Sequence, residues 1–248
     1  EIITVRNISA INISEENQVM AELERTNIAA ICTGQNGHPK IMKILASHLQ
    51  KRLTSKPDSP LDLIIAENMR DSDIYFRKEL GKILPSGFPL EKSIGLIETS
   101  IGKMVPLIPE EQGERKSLNI CSEAYNTLIL SKNSFLNPIP GLPELDPREN
   151  IKAWVDRKLF IHNFGHASLS YLASVKNPEF VFTWEALTDK SLYEEVYETM
   201  KESAVILNSE YTGEYTLSEL EDHISDLLRR FANKALGDTI YRIGCDIS

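Results

Sequence analysis

Three polar residues, Lys158, Asn163 and His166, interrupt the stretch Val155-Asp156-Arg157-Lys158-Leu159-Phe160-Ile161-His162-Asn163-Phe164-Gly165-His166-Ala167. On a helix at ~100° per residue, Asn163 falls about 140° and His166 about 80° from Lys158, so the three share one arc with His166 in the middle. The same helix carries Trp154, Leu159, Phe160, Phe164 and Leu169, and polar groups set into such a surface need partners or a ligand. A lysine beside apolar side chains gives up its charge more readily, because desolvation disfavours the ammonium form. It can then accept a proton from an alcohol. An asparagine amide can donate to an oxygen that gains negative charge, and a histidine can orient that oxygen. Taken alone, the spacing also describes a polar helix face packed on a neighbouring domain.

The elements that must position these residues follow from the pattern of apolar runs. Ile28 to Cys32, Leu61 to Ala66 and Ile94 to Glu98 are short apolar runs that read as buried strands. Helices are predicted between them, from about Pro39 to Lys51 and from about Asp71 to Leu84. Alternating strands and helices indicate a parallel sheet with crossovers. Ile2 to Val5 is strand-like, and residues 118–130 suggest two strands and a short turn. The Pro-rich stretch 137–143 resists both helix and central strand and marks a boundary. Beyond it the chain reads as nearly all helix: about Arg148 to Val175, with Asp146 as cap and Pro147 at the first position, then about Trp184 to Leu207 and Leu217 to Leu236. In the last, Leu217, Leu220, Ile224, Leu227, Leu228 and Phe231 form a core-facing stripe.

The expected architecture is therefore α/β: part of a Rossmann-like nucleotide-binding domain over residues 1–136, a linker over 137–147, and a mostly helical substrate and catalytic domain over 148–248. The chain opens at Glu1 with no Met and reads as a piece of a longer protein. In open α/β sheets ligands sit beyond the carboxyl ends of the strands, so the loops after Cys32 and Ala66 are the places to look.

Composition narrows the partners. The 248 residues carry a net charge of -9 with 42% hydrophobic content, and no run of Lys or Arg suggests nucleic-acid binding. No apolar stretch reaches the roughly 20 residues needed to span a bilayer, and no signal peptide opens the chain. Cys32, Cys121 and Cys245 are far apart and form no CxxC pair, which reads as reduced, buried small hydrophobes in a cytoplasmic protein rather than a disulfide or zinc framework. No metal-ligand cluster is expected.

The string Val155-Asp156-Arg157-Lys158-Leu159-Phe160 continuing to Asn163, Gly165, His166 and Ala167 resembles the active-site segment of the polyol-specific long-chain dehydrogenases, the mannitol dehydrogenase family, and within it the mannitol-1-phosphate 5-dehydrogenases. Leu63 to Met69, ending in Glu67-Asn68-Met69, is similar to the family's Glu-Asn-Met strand end. Lys103-Met104-Val105-Pro106, Arg229 to Asn233 and Leu236 to Thr239 resemble further family segments in order. The resemblance implies NAD as cofactor and a small sugar alcohol or its phosphate as substrate, with interconversion of mannitol 1-phosphate and fructose 6-phosphate by hydride transfer. Free mannitol, or a hexuronate such as tagaturonate or fructuronate, is the alternative substrate. A non-catalytic fragment or binding module is the alternative of a different class.

It further implies Lys158 as general base, Asn68 and Asn163 as groups that polarise the reacting oxygen, and His166 as a substrate-positioning group. Glu67 is a candidate proton relay, or else an ordinary surface carboxylate. No GxGxxG occurs, and the family's Asp-Arg is replaced by Gly102-Lys103. The loop Thr33-Gly34-Gln35-Asn36 is the remaining candidate for cofactor contact, on the nicotinamide side. His38 reads as a surface turn residue. Arg157 and Lys132 are candidates for a phosphate, or else partners in surface salt bridges. His48 and His223 occupy polar helix positions and carry no signal.

Overall fold

The computed structural model describes residues 2–106 and 120–245. Its elements run in the order α1 Glu16–Arg25, β1 Ile28–Ile31, α2 His38–Ser55, β2 Leu61–Ile65, α3 Ser72–Ile83, α4 Leu90–Ser93, β3 Ile94–Ile101, β4 Leu128–Ser131 and β5 Leu145–Arg148. Helices follow: α5 Ile151–Arg157, a π-helical segment Lys158–Asn163, α6 Phe164–Lys176, α7 Thr183–Ala186, α8 Lys190–Glu210, α9 Leu217–Phe231 and α10 Ile240–Cys245. The five strands form one sheet in the order β1-β2-β3-β4-β5. β1 pairs with β2, and β2 with β3, in parallel, with Ile31 opposite Ile65 and Ile65 opposite Glu98. The α/β architecture with a helical C-terminal region is thus the one the apolar runs indicate.

The chain divides into two compact units. Unit 1 comprises Glu1–Thr99 and Leu130–Gly141; unit 2 comprises Ser100–Ile129 and Leu142–Ser248. Unit 1 buries Ile31 of β1, Leu63 and Ile65 of β2 and Leu96 of β3 against Met42, Leu45 and Leu49 of α2 and Phe76 and Leu80 of α3. All five residues of β2 are buried, including Asp62. That carboxylate is satisfied by the Pro-rich stretch, accepting the amides of Leu136 at 2.9 Å and Asn137 at 3.0 Å and the Asn137 side-chain amide at 3.0 Å. Unit 2 is a helical core of Trp154, Ile161, Leu169, Met200 and the α9 stripe from Leu220 to Phe231, while Leu217, expected in that stripe, is exposed. α9 starts in a capping box, in which Thr216 and Glu219 each bond the other's backbone amide. Among the described residues no helix is long and apolar enough to cross a membrane.

Several expectations are corrected. Ile2 to Val5 is exposed and makes no strand. In residues 120–127 there is no strand, only β4 follows, and residues 118 and 119 lie outside the described residues. Asp146 and Pro147 belong to β5, and the helix starts at Ile151 after Asn150. Proline is tolerated there because β5 is the last strand of the sheet order, where a missing amide leaves no interior ladder bond unmade. The predicted single helix from Trp184 is two, α7 and α8, and the predicted Leu217 to Leu236 helix ends at Phe231 before a short 3-10 turn, Lys234–Leu236. The three cysteines are free but exposed, not buried.

Candidate active site

The helix that carries Lys158, Asn163 and His166 does not run as α-helix throughout. Lys158–Asn163 is a π-helix, set between α5 and α6. Each ring of a π-helix closes from residue i to i+5, one residue more than in an α-helix. Asn163 therefore comes round above Lys158, instead of standing about 140° away as uniform α-helical rotation would have it. His166 follows three residues later in α6, about 60° short of a full turn from Asn163. The three residues are brought together more closely than the uniform wheel implied. All three residues are partly exposed, although Nε2 of His166 is itself buried.

The π turn rearranges the backbone hydrogen bonds of the helix. The Phe164 amide bonds the carbonyls of Leu159 and Ile161 and skips that of Phe160. The skipped Phe160 carbonyl instead accepts the Ser203 hydroxyl, from α8, at 2.6 Å. A second contact brings α8 close. A methyl group on Gly165 would stand 2.5 Å from Met200 Cε, so the glycine lets α8 lie against the helix with Met200 in its present place.

Around Lys158 the chemistry is dominated by nitrogen bases and cations. Lys158, His162, His223, Arg157, Arg230 and Tyr125 line a cavity of about 10 Å3, room for one water molecule. His162 is buried, and burial, more than its cationic neighbours, holds it well below the usual histidine range. Burial, with Arg242 and Arg230 adding, pushes His166 down to about 3. Burial, with Arg157 and Arg230 adding, does the same for His223, also to about 3. The imidazoles are thus neutral at ordinary pH. His166 stacks on Phe231 with ring centroids 3.6 Å apart and meets His162 edge-on at 5.3 Å. Its Nε2 is buried without a hydrogen-bond partner among the described residues.

Arg230 is fixed from the other side. Its guanidinium makes a bidentate pair with Glu123, at 2.8 and 2.5 Å, and bonds the Gly102 carbonyl. Glu123 also accepts the Met104 amide at 2.6 Å. Arg157 is not a surface salt-bridge residue: it lies 4.3 Å from the Trp154 ring centroid, and burial lowers its guanidinium. Among the described residues it makes no ion pair. His162, Glu123 and Tyr125 are site residues that sequence reasoning missed, and His223, dismissed as a polar helix position, is a fourth. His223 carries a faint signal, since it neighbours Ile224 on the α9 stripe.

In unit 1, the loop after β1 and the loop after β2 stand together. Thr33, Gly34, Gln35 and Asn36 are exposed. Gly34 has φ +68, a left-handed conformation, with open space where a side chain would be. Glu67 accepts the amides of Thr33 at 2.8 Å and Gly34 at 3.0 Å. It is therefore no ordinary surface carboxylate. Asn68 lies next to it, exposed, just past the carboxyl end of β2. His38 is completely buried between Tyr75 and Phe76, not a surface turn residue. His48 is likewise completely buried rather than polar-facing.

Comparison with known proteins identifies the family. Residues 1–144 match the mannitol dehydrogenase Rossmann domain and residues 150–248 the mannitol dehydrogenase C-terminal domain. The chain belongs to the mannitol dehydrogenase family. Among its relatives, mannitol-1-phosphate 5-dehydrogenase from Geobacillus stearothermophilus is 28% identical over 242 residues, covering 96% of this chain and 61% of that one. A solved D-sorbitol dehydrogenase in substrate-free form shares the fold with a TM-score of 0.78 at 16% identity, over 94% of this chain and 56% of that one. A ternary complex of Pseudomonas fluorescens mannitol 2-dehydrogenase with NAD and D-mannitol gives 0.69 at 14% identity, over 93% and 54%. The chain thus spans little more than half the length of these relatives.

Proposed function

We propose that this chain carries the catalytic residues of an NAD-dependent polyol dehydrogenase, with mannitol 1-phosphate and fructose 6-phosphate as the interconverted pair. The observation that carries the reading is the π turn, which begins at Lys158 and ends at Asn163. It sets a base and an amide donor on one face, with the unpartnered Nε2 of His166 beyond them. Lys158 removes the hydroxyl proton in oxidation and returns it in reduction. Asn163 donates to that oxygen as its negative charge grows, and the family resemblance assigns the same kind of role to Asn68. The neutral His166 ring, held flat against Phe231, fixes where that oxygen sits. The cation Arg157 makes the surroundings favourable for a negatively charged oxygen, while the charge of Arg230 is met by Glu123.

NAD, when bound, supplies the acceptor for the hydride that leaves the carbinol carbon. The exposed loop Thr33-Gly34-Gln35-Asn36 fits a role in holding it, because it follows a parallel strand and Gly34 leaves open space. The Thr33 and Gly34 amides are already bonded to Glu67, so contact falls to Gln35, Asn36 and the exposed faces of the loop.

The phosphorylated substrate is favoured by the relative of that name, which matches over almost the whole chain. Free mannitol or a hexuronate is the second reading, favoured by the fold shared with sorbitol and mannitol 2-dehydrogenases. The test is NADH oxidation by the intact protein with fructose 6-phosphate, fructose and tagaturonate in turn. Turnover of fructose 6-phosphate at a kcat/KM at least ten-fold above the others is expected. Preference for either of the others moves the substrate assignment, and no turnover with any of the three leaves a non-catalytic binding module.

A further inference from the structure

Glu67 is the one candidate whose surroundings point to a role other than the relay its position in the chain suggests. A single oxygen, Oε1, receives the Thr33 amide at 2.8 Å and the Gly34 amide at 3.0 Å, and stands 3.2 Å from Nε2 of His38. The Glu67 side chain is 9% exposed and that of His38 fully buried. A nearly buried carboxylate must be matched by donors, and here they all come from one segment, the junction of β1 and α2. The His38 contact is short but poorly aligned, so neither ring nitrogen counts as hydrogen-bonded. It is attractive only with a proton on Nε2, because a bare nitrogen lone pair would face the carboxylate oxygen. The ring itself cannot turn away. Tyr75 and Phe76 of α3 flank it, with centroids 5.6 and 5.1 Å distant.

The loop needs such a lock. Thr33 to Asn36 are exposed, Gly34 sits in a left-handed conformation, and few backbone bonds hold the turn: Gly37 bonds the Gly34 carbonyl at 3.0 Å and His38 the Gln35 carbonyl. Glycine pays a larger conformational entropy on ordering than any other residue. A loop of this composition would sample many conformations unless tied at its start.

We propose that Glu67 and His38 are positioning residues that hold the Thr33–Asn36 loop in the conformation that receives the cofactor. Glu67 clamps the first two amides of the loop, and His38, held against Tyr75 and Phe76 of α3, backs the carboxylate with Nε2 at 3.2 Å. This rests on the reading above that the loop contacts NAD, and it replaces a proton-relay role for Glu67.

The experiment compares Glu67→Ala, Glu67→Gln and His38→Asn with the parent protein, reading amide hydrogen exchange of the 33–36 segment, NADH affinity by fluorescence titration, and cofactor KM against kcat. Removing the clamp should speed exchange at Thr33 and Gly34 and weaken NADH binding roughly ten-fold, raising KM while kcat changes little. Glu67→Gln keeps the volume and one acceptor oxygen and should recover most of the binding, while His38→Asn should fall between. Unchanged exchange at Thr33 and Gly34 in Glu67→Ala overturns the clamp. Faster exchange with unchanged NADH affinity upholds the clamp but overturns its role toward the cofactor, and with it the loop reading. A fall in kcat with KM and exchange unchanged overturns the positioning role in favour of a relay.

Discussion

Lys158 and Asn163 are the first and last residues of one π-helical segment, five positions apart in a helix that is α on either side. An α-helix would set them on different faces, and the wider turn sets one above the other. The cost is a carbonyl, that of Phe160, which the neighbouring helix α8 answers through Ser203. The geometry at the candidate site thus depends on a residue that touches no substrate.

Ser203→Ala should therefore loosen the π turn without unfolding the protein. The lost bond is worth about 1 kcal/mol, so the thermal midpoint should move by only a few degrees. The turnover number should fall roughly ten-fold as Asn163 drifts from its place. Ser203→Thr, which keeps the hydroxyl, should recover it. Steady-state kinetics beside a thermal melt of each variant checks this, and unaltered turnover in Ser203→Ala would sink the idea.

Gly165 and Met200 should be coupled. Gly165→Ala gains helix propensity, but its methyl group would meet Met200 Cε at 2.5 Å and Sδ at 2.7 Å. Met200 is fully buried and has little room to move. Overpacking of this kind costs about 1–3 kcal/mol. In a double-mutant cycle with Met200→Ala, the combined loss should be smaller than the sum of the single losses, because the clash is removed in the double variant. Additive losses from urea unfolding would show that the contact does not matter.

The buried histidines set an acid limit. Burial lowers His162, His166 and His223 in the folded chain, the last two to about 3, while the unfolded chain keeps ordinary values near 6.5. Below that value the unfolded state binds more protons than the folded one. Stability is then fully present above about pH 6.5 and is lost as pH falls from there toward 3, by roughly 1.4 kcal/mol per pH unit for each histidine that must charge. The three share one cluster, so they should titrate as a group. Denaturant unfolding between pH 8 and 4.5 measures the slope, and His223→Gln should flatten it by about one proton. A slope unchanged in that variant would contradict the assignment.

Much of the fold was legible because burial leaves a direct trace in sequence. Leu61 to Ile65 and Ile94 to Ile97 are apolar runs too short for helices, and the parallel pairing followed from the helices between them. Ile2 to Val5 has the same look but no strand partner among the described residues, and composition cannot supply a partner. Helix α1 went unseen because none of its residues is buried, so no core-facing stripe marks it. The site was legible in part. Lys158, Asn163 and His166 could be gathered by spacing, but the carbonyl that the π turn frees is answered by Ser203, forty-five positions from Lys158 along the chain. His38 and His223 looked like surface residues because their burial comes from other segments: Tyr75 and Phe76 for one, the Arg157 and Arg230 neighbourhood for the other.

The central claim is that Lys158 moves the proton. Its direct test is the turnover of Lys158→Ala with fructose 6-phosphate and NADH, with and without added primary amines. Loss of at least about a thousand-fold, with NADH affinity and thermal midpoint close to the parent and partial rescue by methylamine, is the predicted result. Turnover within a few fold of the parent would contradict it.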